Sequence, residues 1–183
     1  MNRFRTLTQC AVAFVAAVVL IAPRSQAEDG ESALLARLLS NKHTLGEALQ
    51  AISAEGSVPI SAKLESEDGK LWLSAYGAKA GLNKCAEKNE LFELKGDATS
   101  AQWQPQREVF QDKEHLTRAS AQLTLMQTTP LTLETAIARA AAMKKGTTYS
   151  AIPVLKDGKT AIVVRARTSA GQSIQIVIDE TTK

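Results

Sequence analysis

The sequence has 183 residues, and its 22 Lys and Arg against 19 Asp and Glu give a formal net charge of +3. Arg3, Arg5 and Arg24 supply this excess, so the chain after residue 27 is formally neutral. Nucleic-acid binding needs a basic surface with aromatic platforms, and a neutral chain with 4% aromatic residues argues against a nucleic acid as partner.

The first 27 residues have the order of parts of a cleavable secretory signal. Basic residues Arg3 and Arg5 come first, an apolar run covers residues 10–22, and small residues Ser25 and Ala27 stand where a signal peptidase reads them. The apolar run is shorter than the roughly 20 residues that a membrane span needs. We therefore predict cleavage after Ala27, a periplasmic or secreted location, and no stable membrane insertion afterwards.

Residues 28–43 form an N-terminal helical segment. Its leucines recur at the spacing of one helical face, at Leu34, Leu35, Leu38 and Leu39. We expect one amphipathic helix here.

An internal repeat occupies most of the remaining chain. Residues 44–52 align with 132–140 at an offset of 88, the Asp68-Gly69-Lys70 turn aligns with Asp157-Gly158-Lys159 at 89, and Gly81 aligns with Gly171 at 90. An offset that grows by one at each connection is expected when loops absorb single insertions. We interpret the pattern as a duplication that gives two units, residues 44–104 and 131–183.

Each unit begins with a short helix. Thr44 and Thr132 are favourable N-caps, and a Glu follows each of them within the first turn, where it meets the positive end of the helix dipole. Gly56 and Gly146 are placed to end the two helices.

Three strands are expected after each helix. Residues 60–66 and 71–76 flank the first Asp-Gly turn, residues 150–155 and 160–167 flank the second, and third strands are expected at 91–94 and 174–178. Between the units, residues 105–130 connect them, and a stripe of apolar residues predicts a longer helix over 105–127. The sequence thus predicts an α+β fold with two small helix-plus-antiparallel-sheet units joined by a longer amphipathic helix.

Three aromatic residues are the candidate interaction residues. Trp72 and Tyr76 alternate onto the strand face opposite the predicted core, and Trp103 lies in a polar segment. If exposed, they would serve as contact anchors for a partner protein. The alternative is that they are buried against the central helix.

The sequence offers no familiar catalytic or metal-binding arrangement. His43 and His115 are far apart in the chain and form no His-x-x-x-His pair, and Cys85 is the one cysteine after the signal. We interpret Cys85 as a small, partly buried residue, with a bridge between chains or a reactive thiol as the alternative. No serine elbow or phosphate-binding glycine loop is present. We expect no enzyme activity, no metal and no cofactor.

The repeated units resemble the PepSY domain. In the second unit the matching residues are Leu131-Thr132-Leu133 with Ala136-Ile137, then Lys156-Asp157-Gly158-Lys159, then the strand that ends in Asp179-Glu180-Thr181. In the first unit they are Thr44-Leu45 with Ala48-Leu49, then Glu67-Asp68-Gly69-Lys70. The sequence departs from the family pattern at two places. The terminal Gly of the family's acidic-x-x-Thr-Gly turn is missing after Thr182, and the acid of the first unit, Asp97, is displaced along its strand.

The resemblance implies a function in protein binding. PepSY domains occur in propeptides of thermolysin-type metallopeptidases and in small exported proteins, and they are proposed to inhibit peptidases. We therefore expect an exported, non-catalytic protein-binding module, with an exported protein or peptidase as partner and a peptidase-inhibiting or propeptide-like role. The alternative is a structural or assembly subunit of an envelope complex that binds through the central helix.

Overall fold

The computed structural model describes residues 24–144 and 146–182. Residues 1–23, which hold most of the predicted signal, lie outside the described part. The helices are α1 (Arg24–Arg37), α2 (Leu45–Ala54), α3 (Lys113–Gln127) and α4 (Leu133–Met143). The strands are β1 (Val58–Glu67), β2 (Lys70–Ala78), β3 (Leu91–Asp97), β4 (Gln106–Val109), β5 (Thr147–Lys156), β6 (Lys159–Arg167) and β7 (Ser173–Ile178).

The predicted α+β class is confirmed, and the described strands form one antiparallel sheet. Its order is β4-β3-β2-β1-β5-β6-β7. The two predicted units share this sheet because β1 and β5 pair at its centre, where Ala62 lies opposite Ala151 and Lys63 opposite Ser150. Each half therefore contributes neighbouring strands on its own side of one central seam. No helix in the described part is long and apolar enough to cross a membrane.

The short helices begin where their caps predict. The Thr44 hydroxyl accepts a hydrogen bond from the Glu47 N–H, and the Glu47 carboxylate accepts one from the Thr44 N–H, which is a complete capping box. The Thr132 hydroxyl accepts a hydrogen bond from the Thr135 N–H and so caps α4, where the reciprocal half of a capping box is not formed by Thr135. The faces that these helices bury against the sheet are apolar, and they consist of Leu45, Ala48, Leu49, Ile52, Leu133, Ala136 and Ala140.

The two glycines expected to end these helices behave differently. Gly56 has a φ of +73°, which suits a glycine just after a helix. Gly146 stands further from its helix, since α4 already ends at Met143. A Cβ on Gly146 would lie 2.8 Å from the carbonyl oxygen of Arg167, so this glycine permits close approach of two chain segments rather than a helix end.

The prediction of a helix over residues 105–127 is wrong for its first residues, up to Asp112. Residues Gln106–Val109 form β4, which pairs with β3 in the register Phe92–Val109. The helix starts later because Asp112 has an extended backbone and its carboxylate accepts a hydrogen bond from the His115 N–H at 2.9 Å. Pairing with β3 satisfies the backbone of residues 106–109, which a local helical pattern cannot reveal.

Helices cover both faces of the sheet. Alternation in β2 places Leu71, Leu73 and Ala75 on the face of α2, where a Cβ on Gly77 would also meet Ile52. On the other face, the Ser61 hydroxyl donates a hydrogen bond of 2.7 Å to the side-chain oxygen of Gln122 in α3. The sheet is thus sandwiched between the α2–α4 pair and α3.

Candidate functional site: two clefts beside the central helix

α3 lies across the middle of the sheet and divides its face into two clefts. The helix contacts β1 and β5, the two strands of the seam. Its buried side chains are Ala119, Gln122, Leu123 and Met126. One cleft lies over the first half of the chain and the other over the second half.

The cleft over the first half, here named the polar cleft, has a volume of about 320 Å³. It is lined by Lys63, Glu65, Ser66, Glu67, Tyr76, Glu93, Lys95, His115 and Arg118. The acidic and basic side chains pair with one another. Lys63 lies 2.5 Å from Glu65, and Lys95 contacts Glu65 at 3.7 Å and also forms an ion pair with Glu67.

These pairs keep the polar cleft charged. Partial burial acts to lower the pKa of Lys95, but its hydrogen bond to Glu67 and the nearby carboxylates outweigh this effect and raise the pKa above its usual value. The buried Glu93 accepts a hydrogen bond from the Ser74 hydroxyl. The acidic and basic side chains of the polar cleft therefore compensate one another's charge, and water can cover their surface.

Tyr76 is buried beneath the start of α3, in line with the burial alternative. Its ring meets the Phe110 ring edge-on, with centroids 4.7 Å apart, and the Phe110 ring stacks on His115 at 5.2 Å. Burial, followed by the charge of Glu93, raises the pKa of the Tyr76 phenol. Tyr76 thus belongs to the core between sheet and helix.

Trp72 and Trp103 lie on different faces of the sheet. The Trp72 ring is half-buried beside the polar cleft, with the ammonium groups of Lys70 and Lys95 at 5.9 and 5.6 Å from its centroid. Trp103 is partly buried against the core, and a Cβ on Gly96 would lie 2.6 Å from its indole nitrogen. The three candidate aromatic residues therefore do not form one contact patch.

The cleft over the second half, here named the apolar cleft, is larger, with a volume of about 980 Å³. Leu125 of α3 stands at its side and Ala161 lies at its floor, and the 68% exposed Leu155, which pairs with Thr160, lines it from the other face of the β5–β6 hairpin. Residues of the β5–β6 hairpin and of the turn after β7 complete the lining of the cleft, and they are Lys156, Asp157, Gly158, Lys159, Thr160, Asp179, Glu180 and Thr181.

The two halves of this sheet face differ in chemistry. At sheet positions where the first half carries Lys63, Glu65, Ser74 and Lys95, the second half carries Ile152, Val154, Val163 and Val177. All four apolar side chains remain partly accessible. A visible signal was the strand Thr147–Lys156, which is apolar at consecutive positions from 151 to 155 and so has two apolar faces. Sequence reasoning did not use this signal.

The turns that follow β3 and β7 are built alike. Asp97 pairs with Trp72, and Asp179 follows Ile178, which pairs with Ile162, so the two acids hold corresponding places. Each carboxylate accepts a 2.7 Å hydrogen bond from the hydroxyl of the Thr two residues later. The expectation that Asp97 is displaced is therefore wrong. The hydrogen bonds from Thr181 and Thr182 lower the pKa of Asp179 to about 2.

The two edge strands of the sheet, β4 and β7, differ in how well they could pair with a further strand. β4 is short, carries Arg107 and Glu108, and follows Pro105, all of which discourage further strand pairing. β7 has six residues, none charged and none proline, and it pairs with β6. No other strand in the described part of the chain pairs with its outer side, so the backbone groups there are available to another strand.

The histidines and the cysteine lie apart from both the apolar cleft and the open edge. His43 is buried, with its Nε2 3.1 Å from the Ser100 carbonyl, and His115 lies 2.8 Å from the Asp112 carboxylate. Cys85 is exposed, contrary to the partly buried position expected for it. Among the described residues, no three His, Cys, Asp or Glu side chains are grouped so that they could hold a metal ion.

Comparison with known proteins returns one distant structural match. No family model matches the chain, and no curated protein matches it. The match is the crystal structure of a "putative lipoprotein" from Clostridium difficile 630, with 15% sequence identity and a TM-score of 0.39. The overlap covers 79% of this chain and 93% of the other. A TM-score this low carries no argument about fold or function.

Proposed function

We propose that the protein is an exported, non-catalytic protein-binding module in which β7 accepts an extended segment of a partner protein. The observation that carries the proposal is the open edge of β7, an uncharged strand beside an apolar cleft. An extended peptide can add to such an edge through backbone hydrogen bonds, while its alternate side chains provide specificity.

The proposed partner is an exported protein, and specifically a peptidase that the module inhibits or regulates in the manner of a propeptide. The support is the resemblance of both units to the PepSY domain and the signal-like N-terminus. A strand that occupies a peptidase's substrate groove, or that holds its chain in extended form, would pair along an edge such as β7.

The proposal includes a duplication of the helix-plus-strands unit. Its support is the backbone at the aligned turns, where Asp68 and Asp157 both have a positive φ. The aligned glycines Gly81 and Gly171 share φ values of +71° and +80°. Shared unusual conformations at aligned positions are expected of two copies of one ancestral unit.

A matched pair of edge variants tests the proposal. Residues 28–183 serve as bait for proteins of the native envelope and secreted fractions, alongside Gln175→Lys on β7 and Gln106→Lys on β4. Both glutamines are exposed strand-edge residues, so each substitution should change stability by less than about 0.5 kcal/mol. We expect the wild-type chain and Gln106→Lys to capture a peptidase and lower its activity, and Gln175→Lys to lose it.

Two results would contradict this function. One is capture that Gln175→Lys leaves intact, since a charge on a free edge should block pairing there. The other is recovery of envelope proteins without peptidase activity, which would favour the alternative of an assembly subunit. That alternative requires binding through α3, whose buried residues already face the sheet.

A further inference from the structure

The two hairpins beside the clefts correspond residue by residue. In both, an Asp-Gly turn joins the strands, with Glu67 paired to Lys70 in the first and Lys156 paired to Lys159 in the second. Two residues after each of those second lysines, on the face of α3, the first hairpin has Trp72 and the second has Ala161.

The first half thus carries an indole at a place where the second half has only a small side chain, beside the apolar cleft. Trp72 lies over the sheet with the Lys70 ammonium 5.9 Å from its ring centroid. In the second half, Ala161 occupies the position that corresponds to Trp72, and its small side chain is 2% exposed at the floor of the apolar cleft. Lys159, which corresponds to Lys70, also lines this cleft.

We infer that the apolar cleft binds an aromatic side chain of the extended partner segment that pairs with β7. This inference rests on the proposed function, and it adds the chemistry that the partner must supply. The Lys159 ammonium gives charge complementarity, because a cation is attracted to the face of an aromatic ring. Leu125 of α3 offers apolar contact to the ring edge.

The position of the cleft suits a strand on β7. An added strand would lie about 4.8 Å from β7, and every second side chain would point to the face of α3. The wall of the cleft on that side is the turn Asp179 to Thr181, directly after β7. A side chain of the added strand would have to extend across this turn to reach the space above Ala161, which favours a long aromatic side chain over a short one.

Three capped pentapeptides of the sequence Thr-Val-Xaa-Val-Thr, with Trp, Ala or Lys at Xaa, test the inference against residues 28–183. Calorimetry measures affinity, and amide shifts of the ¹⁵N-labelled protein locate binding. We expect the Trp peptide to bind at least about tenfold tighter than the Ala and Lys peptides. The amide shifts that the Trp peptide causes and the other two peptides do not should map to Leu125, Lys159 and Ala161.

Variants of the cleft floor and rim sharpen the test. Ala161→Trp should fill the cleft as Trp72 fills the first half, and it should abolish the preference for the Trp peptide. Ala80→Trp, at an exposed loop position, is the matched control and should keep it. Lys159→Ala should reduce the preference several-fold. If Ala161→Trp does not fold, Ala161→Leu narrows the same space.

The outcomes separate this inference from the function on which it rests. Equal affinity of the Trp and Ala peptides, with shifts along β7, would overturn the aromatic site and leave the edge proposal in place. A Trp preference that survives in Ala161→Trp would also overturn the site. If no peptide binds, both the site and the edge proposal fail.

Discussion

Gly77 of β2 packs between Phe92 of the neighbouring strand β3 and Ile52 of α2. A Cβ at this position would lie 2.5 Å from the Phe92 ring and 3.1 Å from Ile52. Both neighbours are fully buried, so neither can move aside without disturbing the core. The absence of a side chain at Gly77 is therefore a packing requirement.

Gly77→Ala should destabilise the protein by about 1–3 kcal/mol through overpacking. Gly46→Ala is the control, because a Cβ there has one ordinary contact at 3.6 Å and Ala favours the helix by up to about 1 kcal/mol. Urea unfolding measures the free energy of unfolding of both variants. Equal midpoints for Gly77→Ala and the wild type would show that the core yields more easily than this packing implies.

The turn after β7 should respond to acid at an unusually low pH. Because the pKa of Asp179 is lowered to about 2, its stabilisation of the turn is complete above the ordinary Asp pKa of about 4. It is lost as the pH falls through 2. Amide shifts of Thr181 and Thr182 should follow this midpoint, and Asp179→Asn should remove the transition. A midpoint near 4 would contradict the hydrogen-bonded turn.

At the scale of single residues, local backbone conformations were the most predictable features. The Asp-Gly pairs indicated tight hairpins, and Asp68 and Gly69 do have φ values of +49° and +74°. The environments of Trp72, Tyr76 and Trp103 could not be predicted equally well. Their burial depends on α3, on β4 and on Gly96, which are distant in sequence or were assigned otherwise.

At the level of elements, Asp112 caps the first turn of α3. The Asp112 carboxylate accepts a hydrogen bond from the His115 N–H and also lies beside the His115 ring. Its hydrogen bond to that backbone N–H lowers the Asp112 pKa. The start of α3 in turn positions Phe110 over Tyr76.

Asp112→Ala should therefore cost about 1 kcal/mol, since a capping side chain is lost from an exposed helix end. Asp112→Asn keeps a side-chain acceptor and should stay within a few tenths of a kcal/mol of the wild type. Thermal unfolding at pH 7 compares the two. Equal losses in both variants would show that charge, rather than capping, stabilises this helix.

The short helices and hairpins were predictable because their signals are local. Thr44 and Thr132 cap, and apolar residues recur at helical spacing after them. β4 was missed because Val109 happens to continue the apolar stripe of α3, and pairing with β3 decides its conformation. The apolar cleft was missed because it needs the placement of α3 as well as the pattern of β5.

At the scale of the whole molecule, the seam between β1 and β5 makes the two halves one structure. α2 and α4 contact each other above this seam, and α3 covers it from below. The sequence revealed the duplicated pattern, but not that the sheets join. The contact of Ala62 with Ala151 links residues 89 positions apart, and no local preference specifies it.

We therefore expect the protein to unfold in a single cooperative transition. Both tryptophans, Trp72 and Trp103, lie in the first half, so their fluorescence reports on that half alone. Amide exchange of β6 reports on the second half. The two probes should give the same free energy of unfolding within error. Loss of β6 protection at a lower denaturant concentration would show that the halves unfold independently.

The strand order also determines which surface a ribosome exposes last. In chain order β7 is the final strand of the sheet, so β6 is the sheet's edge until β7 has been made. An unfinished chain would present the unpaired edge of β6, whose Ile162, Val164 and Ala166 are buried in the folded protein. The seam edge of β1 waits longer, because its partner β5 begins 80 residues after β1 ends, so a chaperone that shields nascent strands would have its longest task at β1.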